Sequence, residues 1–125
     1  MAQEGVTEKR RHKRFKVTPK VFVEFSSSLP HIGQIIDISI GGIAFRYIER
    51  DGAIACSQIK IYNISGNGFF LENLRVKTIS DIRIPSHLGP SVIRIRRQGV
   101  QFQKLSAENM ESLEYLIERY TIGEA

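Results

Sequence analysis

The chain has 125 residues, 42% of them hydrophobic and 25% charged, with a single cysteine. That length suits one domain with its own core, and the lone Cys56 excludes an intramolecular disulfide and fits a reducing cytoplasm. A formal net charge of +5 favours an anionic partner, while no apolar run approaches the roughly 18 residues of a membrane span and no secretory signal opens the chain.

Residues 1–8 are polar and small and are expected to form a disordered tail. The basic arm, residues 9–15, follows as Lys9, Arg10, Arg11, His12, Lys13 and Arg14, closed by Phe15. A guanidinium is planar, permanently charged and offers its donors in a fixed fork, so it grips a phosphate or a guanine edge with two hydrogen bonds at once. It also stacks on aromatic faces. Taken alone, such an arm reads first as a solvated terminal tail.

The segment from Lys16 to Phe25 reads as a first strand, with Val21, Val23 and Phe25 alternating with Phe22 and Glu24. Pro19 marks its opening as an edge or a bulge. Ser26 to Pro30 reads as a loop, and Gly33 to Ile38 as a second strand. This strand runs into a turn at Asp37-Ile38-Ser39-Ile40-Gly41-Gly42. Asp37 and Ser39 supply short acceptors two residues apart. Gly41 and Gly42 are expected to take positive φ and let the backbone approach a ligand, with successive N–H groups forming an anion-binding nest. The alternative is a polar hairpin turn with an Asx-type hydrogen bond and no ligand.

Gly42 to Ile48 leaves the turn as a third strand, and Glu49 to Gly52 is a further turn. Ser57 to Ile64 is a fourth strand, and Asn67-Gly68 within Ser65 to Gly68 signals a hairpin. Phe69 to Ile84 is long for one strand, so a bend or bulge is expected near Asn73 or Ser80-Asp81. After a loop from Pro85 to Pro90, Ser91 to Phe102 reads as the last strand. Ile93 and Ile95 there alternate with Arg94 and Arg96, and the apolar parity then shifts to Val100 and Phe102. That shift predicts a bulge near Gln98-Gly99.

A helix is expected over residues 106–121, with Ser106 as N-cap and Leu105 stapled onto Met110. Met110, Leu113, Leu116, Ile117 and Tyr120 form an apolar stripe at helical spacing, suited to core packing on the barrel or to a dimer seam. Gly123 reads as its stop. The whole is a mostly β protein: a small antiparallel barrel of six or seven strands with a C-terminal helix packed on it, one domain over residues 9–122.

The two motifs together resemble the signature of the PilZ domain family: Arg10-x-x-x-Arg14, then Asp37-x-Ser39-x-x-Gly42 about two dozen residues on. All five signature positions are met. The likeness runs from Glu8 to about Tyr120 and includes a late strand ending Gly99-Val100-Gln101-Phe102 followed by the helix. It implies a bacterial receptor for the second messenger cyclic di-GMP. Arg10 and Arg14 would contact guanine edges and phosphates, and Asp37 would accept from a guanine. Ser39 would hydrogen-bond the ligand, and Gly41 and Gly42 would allow close approach. Lys9 and Arg11 would add to the phosphate field, and Arg96 or Arg97, on the last strand, would supply a further stacking cation. Ligand would order the arm and so signal to a downstream protein effector.

No P-loop, GxSxG or dinucleotide fingerprint occurs, and His12, His31 and His87 lack the spacing of a zinc site. Neither enzyme chemistry, a cofactor nor a metal is therefore expected. Two alternatives stand beside the receptor: a nucleic-acid-binding barrel that stacks bases on exposed aromatics, and a PilZ-like adaptor that works without nucleotide.

Overall fold

In the computed structural model, residues 12–25, 31–50, 52–63, 70–85 and 93–125 are described. The expected tail, the arm residues Lys9, Arg10 and Arg11, the loop after Phe25, the Asn67-Gly68 hairpin and the loop leading into Ser91 lie outside them.

Eight strands and one helix are present among the described residues: β1 (Phe15–Val17), β2 (Val21–Phe25), β3 (His31–Ile38), β4 (Gly42–Ile48), β5 (Gln58–Asn63), β6 (Phe70–Arg83), β7 (Ile95–Phe102), α1 (Ala107–Arg119) and β8 (Thr121–Glu124). Six strands pair in the order β2-β5-β6-β7-β4-β3 and close through β2–β3, so the barrel has no open edge there. β1 and β8 extend the sheet beyond β3. The expected first strand is therefore two, because Pro19 lacks an N–H for a ladder and Thr18 to Lys20 leave the sheet.

Inward positions follow the two-residue period. Val21, Val23, Phe25, Ile35, Phe45, Ile59, Ile61, Leu74 and Val100 are buried, and Leu113 and Leu116 of α1 join the same core. Four of the five stripe residues, Leu113, Leu116, Ile117 and Tyr120, are thus committed to the barrel. Phe25 packs against Phe45 in a tilted and against Tyr47 in an edge-on arrangement, at centroid separations of 4.8 and 5.0 Å, filling the centre with three rings.

Three bulges lie in the barrel wall, and a fourth irregularity falls on β8 at Ile122, between Lys16–Gly123 and Val17–Thr121. An extra residue falls on β3 at Ile36, between the pairs Ile35–Phe45 and Asp37–Ala44. Two fall on β6: one beside Asn73, which takes φ 56, and one at Ile79, between Thr78–Val100 and Ser80–Gly99. The β4–β7 register is continuous from Gly42–Gln101 to Ile48–Ile95, so the bulge expected within β7 lies on its neighbour instead. The parity shift has a different origin. Even positions of β7 face inward throughout, placing Arg96 and Gln98 inside and leaving Ile93 and Ile95 exposed.

The helix ends at Arg119, short of the expected 121, and the chain turns at Tyr120 into β8. β8 pairs with β1 through Phe15–Glu124, Lys16–Gly123 and Val17–Thr121, so the fold extends past residue 122. Ser106 caps α1 by accepting from the Asn109 N–H at 3.0 Å, as its position in the sequence indicates. Ser106→Ala is expected to lower stability by about 1 kcal/mol in urea denaturation, with the far-UV spectrum retained. A change below a few tenths would show that the first turn of α1 is held by packing alone.

Candidate functional site

The bulge at Ile36 turns Asp37 onto the outer face beside β1, and the chain reverses through Ser39, Ile40 and Gly41 into β4. Ser39 holds this reversal. Its hydroxyl oxygen accepts from the N–H of Gly41 at 3.0 Å and of Gly42 at 3.2 Å, and its N–H donates to the Gly42 carbonyl at 2.9 Å. The turn is thus closed by a serine hydroxyl rather than by the Asx-type bond. The two N–H groups expected to form an anion nest are directed at that hydroxyl.

The glycines are required for space and not for φ. Among the described residues only Gly52 and Gly123 are glycines with positive φ. A Cβ on Gly42 would stand 2.1 Å from the Val100 carbonyl oxygen, because β4 and β7 approach closely there. A Cβ on Gly41 would meet the His12 ring at 2.7 Å.

The arm reaches this turn through β1. Lys16 pairs with Asp37 and Phe15 with Ile38 on one side, while β8 holds the other. The Ala125 N–H donates to the Arg14 carbonyl at 2.9 Å, and Lys13 pairs with Glu124 at 3.1 Å. Arg14 then folds over Asp37, donating from Nη1 to Oδ1 at 2.5 Å. Arg97 comes from β7, with Nη2 3.5 Å from Oδ2 of the same carboxylate. The Asp37 side chain is 6% exposed, against 25% for Arg14 and 41% for Arg97. One buried carboxylate thus gathers two arginines that are 83 positions apart in the chain numbering, 97 minus 14.

Beside this cluster a cleft of about 550 Å³ opens on the outer face. Its near side is His12, Arg14, Ser39 and Gly41; its far side is Ile79, Ser80, Gly99, Lys104 and Met110. Four side chains that are cationic or can become so face it, and among the described residues its lining holds no carboxylate, so an anion is the favoured guest. Sequence patterns brought out Arg14, Asp37, Ser39, Gly41, Gly42 and Arg97, and these do converge. They missed Ile79 and Ser80, which the β6 bulge places there, and Lys104, which stands just after β7. Among the described residues no cluster of three His, Cys, Asp or Glu could hold a metal.

These features define a class: a small closed β-barrel with a helix on its core and a cationic cleft beside one interstrand turn. The chain belongs to the PilZ domain family, whose profile matches residues 8–119. Solved structures agree on the fold. The PilZ domain of YcgR with c-di-GMP from Escherichia coli superposes with a TM-score of 0.67 at 16% identity, covering 90% of this chain and 92% of that one. The K. pneumonia MrkH–c-di-GMP complex gives 0.66 at 15%, covering 90% and 52%. The Bacillus subtilis inhibitor of motility MotI/DgrA gives 0.52 at 16%, covering 90% and 51%. The chain therefore spans nearly all of the isolated YcgR domain and about half of the two longer proteins. No curated protein sequence matches it.

No helix among the described residues is long and apolar enough to cross a membrane.

Proposed function

We propose that this protein is a receptor for cyclic di-GMP, which binds in the cleft beside Asp37 and signals by fixing the basic arm on the barrel. The observation that carries this reading is the convergence of Arg14 and Arg97 on Asp37 at the rim of a cationic cleft. Family membership and two neighbours described as c-di-GMP complexes support it.

The roles follow from the chemistry. Guanine offers N1–H and N2–H₂ donors on its Watson–Crick edge, and the Asp37 carboxylate accepts both. Binding therefore exchanges the Arg14–Asp37 pair for a guanine, and the freed guanidinium turns to the O6/N7 edge or to a phosphate. Arg10 does the same from the far end of the arm, with Lys9 and Arg11 adding positive field. Arg97 stacks on a base or pairs with phosphate from the β7 side. Ser39 donates its hydroxyl hydrogen to the ligand while its oxygen holds the turn. Gly41 and Gly42 keep the backbone low enough for the ligand to approach. The arm root lies between β3 and β8, so movement at Arg14 is coupled to both, and the ordered arm is the new surface offered to a downstream protein effector in the cytoplasm. The protein performs no chemistry on the nucleotide.

Calorimetric titration tests this. Wild type is expected to bind cyclic di-GMP saturably, and Arg14→Ala and Asp37→Ala each to weaken it by at least about tenfold, the loss typical of one charge-assisted contact. A short single-stranded oligonucleotide is expected to give no comparable heat. Absence of heat with the dinucleotide, together with unchanged amide shifts by NMR, would overturn the receptor reading. Length-dependent oligonucleotide binding would favour the nucleic-acid barrel instead.

A further inference from the structure

We infer that the half of the cleft remote from Asp37 is a second purine subsite, with Gly99 and Ser80 as its floor, Ile79 as its apolar edge and Lys104 as its cation. The inference rests on the cyclic di-GMP reading and extends it to residues outside the family signature.

Two backbone irregularities converge on this half. Ile79 is the extra residue of the β6 bulge, 60% exposed, and it lines the cleft instead of the core. Bulges re-aim side chains, and here the bulge turns an isoleucine outward beside an anion-favouring surface. Lys104, directly after β7, holds φ 47. Lysine adopts this left-handed conformation rarely, since it has no short polar side chain to support it. Such conformations are held by the surrounding structure and cluster at ligand clamps, and Lys104 lines the cleft.

Between them lies a floor without bulk. Asp37 pairs with Ala44, Ala44 with Gly99, and Gly99 with Ser80, so one row crosses four strands on the outer face. Neighbouring strands lie about 4.8 Å apart, so Ala44 to Ser80 spans roughly 10 Å with nothing larger than a hydroxymethyl group. A planar base can lie against backbone on such a floor. A Cβ on Gly99 would stand 3.0 Å from the Ser80 hydroxyl, so even alanine would roughen it.

The stoichiometry of the ligand completes the argument. A cyclic dinucleotide carries two guanines and two phosphates. The Asp37 end supplies one acceptor edge and cations for one base and its phosphate. The second base needs a flat apolar seat and the second phosphate another cation, and the Gly99–Ser80 floor with Ile79 and Lys104 offers both.

The test is titration of the full chain with cyclic di-GMP for wild type, Ser80→Leu and Lys104→Gly, each checked by thermal melting. Lys104→Gly removes the charge while relieving the left-handed backbone, so its melting temperature is expected to hold or rise. Its affinity is expected to fall about tenfold. Ser80→Leu, on the exposed face, fills the floor and is expected to weaken binding by at least about tenfold. Wild-type binding with both variants within about twofold would overturn the subsite and leave the receptor reading intact. Failure of wild type to bind would overturn both.

Discussion

Gly42→Ala is expected to destabilise the fold by about 3–4 kcal/mol, at the severe end for a single added methyl group. The new Cβ would stand 2.1 Å from the Val100 carbonyl oxygen and 3.2 Å from the Gln101 Cα, both of them backbone atoms of β7. Backbone cannot rotate aside, so β4 and β7 must part locally. Parting them breaks the Phe102 N–H to Gly41 carbonyl bond of 2.9 Å and the Ser39 N–H to Gly42 carbonyl bond of the turn. Gly41→Ala is the control. Its Cβ would meet the ring of His12, an exposed side chain that can swing away, so a loss below about 1 kcal/mol is expected. Urea denaturation separates the two. If φ rather than space were the constraint, the variants would not differ in this order. Equal losses, or a Gly42→Ala loss below about 1 kcal/mol, would refute the packing argument.

The same position shows what a sequence can and cannot reveal. That a tight reversal stands between Asp37 and Gly42 follows from short acceptors and glycines between two alternating apolar runs. The bounds of β4 are legible for the same reason. The reason for Gly42 is not legible, because the obstructing carbonyl belongs to Val100, far along the chain. Both β6 irregularities are legible in outline: asparagine at 73 tolerates the left-handed region, and the bulge at Ile79 falls one residue from the expected Ser80-Asp81.

Two features are not legible in the sequence for one cause: their deciding partners lie far along the chain. The alternation of Ile93 and Ile95 with Arg94 and Arg96 suggests isoleucines inside, yet Ile93 and Ile95 are exposed and the Arg96 side chain is 14% exposed. A period-two pattern assigns apolar residues inward and cannot see that Arg96 has Glu49 and Asp81 as inward partners. β8 was likewise invisible. Thr121–Glu124 has no alternation of its own, and its stability comes from pairing with β1, more than a hundred positions earlier. In the site, Arg14 and Asp37 could be read as an ordered pair, and Arg97 only by guessing proximity. That the β6 bulge lines the cleft is not legible, because residues of β4 and β7, distant in the chain, complete that surface.

The inward Arg96 belongs to a network whose loss gives the second large effect. Asp81→Ala is expected to lower stability by about 3–5 kcal/mol, measured in urea, with the barrel retained at low denaturant. Asp81 accepts from Arg96 Nε, from the Tyr47 hydroxyl and, at 2.8 Å, from the Gln98 amide. Gln98 is fully buried; it also donates to the Ile54 carbonyl at 2.8 Å and accepts from Thr78 at 2.8 Å. Thr78 in turn accepts from the Cys56 N–H at 2.8 Å. Removing the carboxylate leaves a buried amide N–H and a buried phenol without their acceptor, and each such orphan costs about 1–3 kcal/mol. Arg96 keeps Glu49, whose carboxyl is held below its ordinary range by hydrogen bonds from Arg83 and Arg96. Burial, and then the hydrogen bond to Asp81, push the Tyr47 phenol up to about 12. A phenol raised on folding adds stability below its ordinary value of 10, and that contribution is lost as pH rises through about 12. Asp81→Ala should therefore flatten the alkaline limb of the stability profile as well as lower it. Asp81→Asn keeps one acceptor oxygen and is expected to lose less. A variant Asp81→Ala within about 1 kcal/mol of wild type would show that water replaces the carboxylate, and that the inward arginine is tolerated by solvation instead of by its partners.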